Sequence, residues 1–147
     1  MAPYLLTSLS LLVAALVGWV GVLQYRIAHE RLKLDLWEKR YAIYKGAQKF
    51  LSLVMQEGTA DMKELMGFFH DTQDAYFLFR PDMAEYLSSL YKRGVELRTM
   101  RKVYEPKDVG EERSRLCEKE ARLLKELGDD LSQLKIRFGP YLKLARK

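Results

Sequence analysis

His70, Asp71 and Asp74 come closest, in this sequence, to a set of side chains that could hold a metal. In a helix His70 and Asp74 stand four residues apart and share a face, so an imidazole and a carboxylate could reach one cation. Two ligands do not make a site. The other histidine, His29, stands far off in sequence, and neither the His-Glu-x-x-His pattern of zinc proteases nor the paired Glu-x-x-His of di-iron bundles occurs. A solvated helix face accounts for the cluster. Nucleophilic catalysis needs Ser, Thr or Cys beside an oriented base. Cys117, the single cysteine, lies on a charged stretch without a neighbouring histidine, and Ser88-Ser89 reads as an ordinary helical pair. The carboxylate pairs Glu111-Glu112 and Asp129-Asp130 are adjacent in sequence, so on a helix they point apart. No glycine-rich phosphate loop is present. The residue types therefore predict no catalytic residue, no metal and no cofactor, and a protein that is not an enzyme.

The elements carrying these residues fall into two materials. Residues 1–25 contain no charged side chain, so all 25 Lys+Arg and all 20 Asp+Glu of the 147-residue chain lie beyond them. The stretch YLLTSLSLLVAALVGWVGVLQY, residues 4–25, is long enough at about 1.5 Å per residue to cross a hydrocarbon core of about 30 Å. Its leucines and valines favour insertion, and no charge, worth about 3 kcal/mol against, opposes them. A cleaved secretory signal would need a basic n-region, a shorter apolar stretch and a small-x-small cleavage site, none of which is convincing here. Residues 1–25 are thus expected to be a transmembrane anchor, with Tyr4, Trp19 and Tyr25 as interfacial rings, although Trp19 lies deep for that role.

Flanking charge sets the expected orientation. No Lys or Arg precedes the span, whereas Arg26, Arg31, Lys33, Lys39 and Arg40 follow it, which places the N-terminus outside and the rest in the cytoplasm. Arg26, Arg31 and Lys33 are candidates for contact with anionic headgroups, at about 1 kcal/mol each. Within the span Ala14, Gly18 and Gly21 follow one another at i, i+4 and i+7, a small-residue seam along which a second helix could pack, so a homo-oligomer is conceivable. A lone cysteine excludes an intramolecular disulfide and fits a reducing compartment.

Residues 26–147 read as one cytoplasmic domain. From Tyr25 to Met55 a helical period persists with Gly46 as its one weak point, so the membrane helix is expected to continue into water and present Leu36, Arg40, Ile43, Ala47, Phe50 and Val54 along one strip. Gly58 supplies a stop, and Asp61 with Glu64 has capping-box spacing. A second helix is predicted from there to about Phe79 and, with Met62, Leu65, Met66, Phe69, Tyr76 and Phe79 on one side and Phe68, Ala75, Phe77 and Leu78 widening it, to be the most buried of all. Arg80-Pro81 marks a tight connection into a third helix, about Pro81–Tyr104, with Gly94 permitting close approach. Residues 105–110 form the expected loop, with Asp108 and Glu111 at capping-box spacing. A fourth helix carries Leu116, Leu123, Leu124, Leu127, Leu131, Leu134 and Phe138 to a stop at Gly139-Pro140, with a kink or split conceivable at Gly128-Asp129-Asp130. The predicted fold class is all-α: an N-terminal transmembrane helix continuing into an antiparallel bundle of about four helices.

The segments KLDLWEKRYAIY (33–44), FLF (77–79), EYL (85–87) and FGPYL (138–142) resemble a group of small uncharacterised bacterial single-pass membrane proteins with a cytoplasmic helical domain. The resemblance covers residues 32–144 and implies a bacterial inner membrane; its motifs are of the packing kind and imply no functional residues.

A net charge of +5 with a pI near 9.3 invites a nucleic-acid partner. Interleaved pairs such as Glu111 with Arg115 and Glu118 with Arg122 argue instead for a self-neutralised helix surface beside a membrane. The function expected from the sequence is a membrane-anchored interaction or scaffold module that recruits a protein partner at the cytoplasmic face. The alternative is a membrane sensor with an aromatic ligand pocket between helices; Tyr41, Tyr44, Tyr76, Tyr86 and Tyr91 each carry a hydroxyl that needs a partner if buried, so a polar cavity is conceivable, although such aromatics more often form the core itself.

Overall fold

Strong helix formers and the absence of interior proline let one helix, α1, run from Ala2 to Glu57. The computed structural model describes residues 2–104 and 110–143, and within these the side chains of residues 11–103 and 110–143. The expected loop at 105–109, with Asp108, and the ring of Tyr4 lie outside the described residues. After α1 come α2 (Met62–Thr72), the single turn α3 (Ala75–Leu78), α4 (Pro81–Tyr104) and α5 (Glu111–Leu142). The protein is all-helical, with no strand among the described residues.

The chain divides into two units, one ending at Leu36 and the other beginning at Trp37. The first consists of the N-terminal part of α1. It is apolar enough over a membrane-spanning length, and none of that window is buried.

The second unit has a continuous apolar core. Ile43, Ala47, Phe50, Leu51 and Val54 of α1 bury against Leu65 and Phe68 of α2, Met83, Leu87, Leu90, Leu97 and Met100 of α4, and Leu123, Leu127, Leu134 and Phe138 of α5. Each of these side chains larger than alanine contributes on the order of 1.5–3 kcal/mol by leaving water, and no charged or polar residue is buried among the described residues. The Phe50 and Phe68 rings stack at 4.5 Å between centroids. Gly94 lets α4 approach this pair, for a Cβ built there would lie 2.7 Å from Phe50 Cζ and 2.9 Å from Leu65 Cδ2. Gly46 plays a similar part on α1, facing the Asp71 side chain at 2.8 Å from an added Cβ.

Several helix ends form as the sequence predicts. Gly58 closes α1 with φ +67°, a conformation glycine adopts without Cβ strain. The Asp61 backbone N–H donates to the Glu64 carboxylate at 3.1 Å, one half of a capping box opening α2.

Three expectations are corrected. The second helix does not reach Phe79: it ends at Thr72, whose hydroxyl donates to the Phe68 carbonyl at 2.7 Å, and a turn at residues 73–74 leads into α3. Thr72 and Asp74 are short polar residues that compete for backbone groups, and the turn re-aims the chain so that Ala75 and Phe79 are buried. Nor is this helix the most buried, because Met62, Met66, Phe69, Tyr76 and Phe77 are all exposed. Finally, α5 passes through Pro140 to Leu142 instead of stopping at Gly139-Pro140. A proline in the last turn sacrifices one hydrogen bond, offset because Tyr141 packs edge-on against Phe79 at 5.1 Å and Leu142 lies against the core. The cap of α5 is Gly110, in extended geometry, and Gly128-Asp129-Asp130 leaves the helix unbroken.

Candidate functional site

Three helix ends share a device. Terminal carbonyls of a helix have no partner within it, and here side chains from another helix supply one. Trp37 Nε1 donates to the Leu142 carbonyl at 2.8 Å, Arg40 Nε to the Leu78 carbonyl at 2.8 Å, and Arg101 Nη1 to the Gly58 carbonyl at 3.3 Å. The Arg40 guanidinium also lies 5.8 Å from the ring centroids of Phe79 and Tyr141. Arg40 falls on the apolar strip of α1 in sequence; its role as a cap was not legible there, because the carbonyl it meets is contributed 38 residues away.

A polar cluster joins α4 to α5. Arg93 reaches Asp130 at 2.6 Å and Glu126 at 3.9 Å, and Arg137 lies over the Tyr86 ring at 4.5 Å. The Tyr86 hydroxyl is buried beside Asp130 without a hydrogen bond of good geometry. Burial, reinforced by the Asp130 carboxylate and opposed by Arg137 and Arg93, holds this phenol well above its usual value of 10.0. A cleft of about 570 Å³ beside it is lined by Arg80, Asp82, Met83, Tyr86, Arg137 and Tyr141. The cluster ties two helices together; it contains no nucleophile paired with a base.

His70 and Asp71 approach at 3.8 Å on an exposed surface, and Asp71 is turned toward Gly46. No group of three or more His, Cys, Asp or Glu side chains is placed to hold a metal among the described residues. Cys117 is exposed, whereas burial or partial burial is the ordinary expectation for a structural thiol.

The five tyrosines whose hydroxyls would need partners if buried lie in different surroundings. Tyr41 stacks on Trp37 at 5.0 Å, Tyr44 meets Phe138 at 5.4 Å, and Tyr86 lines the cleft described above. Tyr76 and Tyr91 share a separate groove of about 370 Å³ with Phe69, Ala84 and Leu87.

On the first unit, Ala14, Gly18 and Gly21 are exposed on α1, and nothing lies within 4 Å of a Cβ added at either glycine. Arg26, Arg31 and Lys33 are exposed on the same helix, with Lys33 Nζ 3.5 Å from Glu30. The predicted pair on α5 forms, Arg115 Nη2 to Glu111 at 2.7 Å. No protein-family model matches this chain, and neither a curated protein nor a solved structure shows significant similarity to it.

Proposed function

We propose that this protein is a single-pass membrane-anchored helical scaffold whose cytoplasmic domain recruits a protein partner to the membrane face. The observation that carries the reading is the N-terminal part of α1, a span-length apolar helix with none of its apolar window buried among the described residues. Water would penalise that surface and lipid would not. The charge step after residue 25 supports an orientation with the N-terminus outside, and Arg26, Arg31 and Lys33 are placed to meet anionic headgroups. Ala14, Gly18 and Gly21 offer a seam for a second span. The contacts of Tyr44 with Phe138, and of Met55 with Gly128, pair rising numbers on α1 with falling numbers on α5, which supports an antiparallel bundle. The resemblance to bacterial single-pass proteins favours the inner membrane as its location.

The exposed Cys117 is a built-in reporter of topology, being the single cysteine of the chain. In intact cells a membrane-impermeant maleimide is expected to leave it unlabelled, and permeabilisation is expected to expose it. Labelling in intact cells overturns the orientation, and recovery of the full-length chain from the soluble fraction overturns the anchor. Recruitment is tested by cross-linking in native membranes: one specific cytoplasmic protein cross-linked to the chain supports the scaffold, whereas self-contacts alone reject it.

A further inference from the structure

Within the second unit, the segment expected to be most buried, which forms α2 and α3, is the one that shows the most exposed large apolar side chains. Phe77 is 82% exposed, Tyr76 71%, Met66 53%, and Met62 and Phe69 50% each. These side chains are contiguous. Met62, Met66 and Phe69 follow at i, i+4 and i+7 along one face of α2. Phe69 tilts against Tyr91 of α4 at 5.5 Å, Tyr76 lines the same groove, and Tyr76 meets Phe77 edge-on at 5.6 Å. Isolated exposed apolar residues are ordinary on a protein surface, but a joined patch around a groove marks an interaction site. A domain otherwise able to bury its leucines leaves two phenylalanines and two methionines outside along this one segment.

Charge selects the occupant. The groove's lining includes a carboxylate and no Lys or Arg, in a chain of net charge +5, whereas Asp82 lines the Tyr86 cleft and Glu64 and Asp71 line a separate pocket with Lys49 and Lys63. Glu85 lines the groove itself, and Asp74 stands between the lining residues Gln73 and Ala75. An anionic bilayer would be repelled by such a surface. A two-fold dimer through it would bring Asp74 and Glu85 toward the same carboxylates of the second copy with no Lys or Arg in the groove lining to pair them. A helix with an apolar face and flanking Lys or Arg satisfies both features, burying its apolar face in the groove and pairing at the rim. The two methionines, unbranched and polarisable, suit a surface that moulds to an incoming helix. We infer that the groove between α2–α3 and α4 is the docking site for a basic amphipathic helix of the partner protein. This rests on the scaffold reading and names the surface that recruitment uses.

The test uses the full chain in phosphatidylcholine nanodiscs. Its probe is a fluorescent helical peptide with leucines on one face and lysines on the other, alongside a twin carrying glutamates for the lysines, with empty nanodiscs as the blank. After subtracting the blank, the lysine peptide is expected to bind at least about tenfold more tightly than its twin, and to weaken as salt rises. The pair Phe69→Ser and Phe77→Ser is expected to weaken it by about tenfold or more. The pair Asp74→Lys and Glu85→Lys is expected to abolish the preference for the lysine peptide. All four positions are exposed, so helicity by circular dichroism should be unchanged; if the Phe69 change disturbs folding through Tyr91, Phe77→Ser alone and the charge reversal still decide. Equal binding of both peptides, or indifference to the substitutions, overturns the assignment. So does loss of self-association as the sole effect of the phenylalanine changes, which identifies a second copy as the occupant. Partner cross-links that persist in the phenylalanine variant refute the groove and leave the scaffold standing; absence of any partner cross-link in the unaltered protein refutes the scaffold itself.

Discussion

Tyr86 holds a hydroxyl in the wrong place for stability. A buried polar group without a good partner costs about 1–3 kcal/mol relative to one that is satisfied, and the Asp130 carboxylate beside it discourages ionisation further. Because the phenol is raised in the folded protein, the unfolded chain loses its proton first, at its ordinary value of 10.0. Stability from keeping this group neutral is intact below about pH 10 and is lost as the pH climbs from there toward the folded value. Tyr86→Phe keeps the ring under Arg137 and removes the titration. It is therefore expected to match or exceed the unaltered protein at about pH 7, by up to about 1 kcal/mol, and to widen that advantage above about pH 10. Urea midpoints of the two proteins at both pH values check this, and an advantage that shrinks in alkali refutes it. The sequence marked Tyr86 as a hydroxyl in need of a partner if buried. It could not show that Arg93 and Arg137 would come from two different helices to the same spot.

Glycines at the helix contacts separate what periodicity encodes from what packing decides. Gly94 sits on the buried face of α4 against Phe50 and Leu65, whereas Gly67 on α2 faces open space. Alanine at either position gains up to about 1 kcal/mol of helix propensity. At Gly94 the new methyl must displace an aromatic ring and a leucine, an overpacking cost of about 1–3 kcal/mol. Gly94→Ala is therefore expected to lower stability by roughly 1–2 kcal/mol while Gly67→Ala leaves it unchanged or raised; denaturant unfolding of the two variants side by side checks the contrast, which fails if both behave alike. The close approach at Gly94 was legible because the glycine shares its face with Leu87, Leu90 and Leu97. The ends of α1 and α4 were legible through Gly58 and Arg80-Pro81. The fate of α2 was not. It carries two apolar rows, Leu65 with Phe68 and Met62 with Met66 and Phe69, and a 3.6-residue period alone cannot say which row turns inward. Phe50 and Gly94, distant in sequence, settle that choice by offering a ring to stack on Phe68 and room for Leu65. The break at residues 73–74 and the passage of α5 through Pro140 were hidden for the same reason, since both are offset by contacts of Phe79 with Phe138 and Tyr141.

At the scale of the whole molecule, the distribution of buried residues predicts what the first unit contributes to folding. Every core side chain of the second unit lies at Ile43 or beyond, and the outermost ties to α5 and α3 begin with Trp37 and Arg40. Among the described residues, none before Trp37 belongs to that core. Removing residues 1–36 therefore breaks none of the described core contacts. The chain from Trp37 onward is expected to be soluble and helical, and to unfold cooperatively on heating, with a midpoint within a few degrees of the full-length protein in nanodiscs, about the shift that 1 kcal/mol produces in a domain of this size. Circular dichroism and fractionation of the shortened chain provide the measurement. A collapse of its helical signal would mean that the anchor stabilises the domain as well as locating it. Retention of both fold and peptide binding, with loss of membrane association alone, would assign location to one unit and recognition to the other.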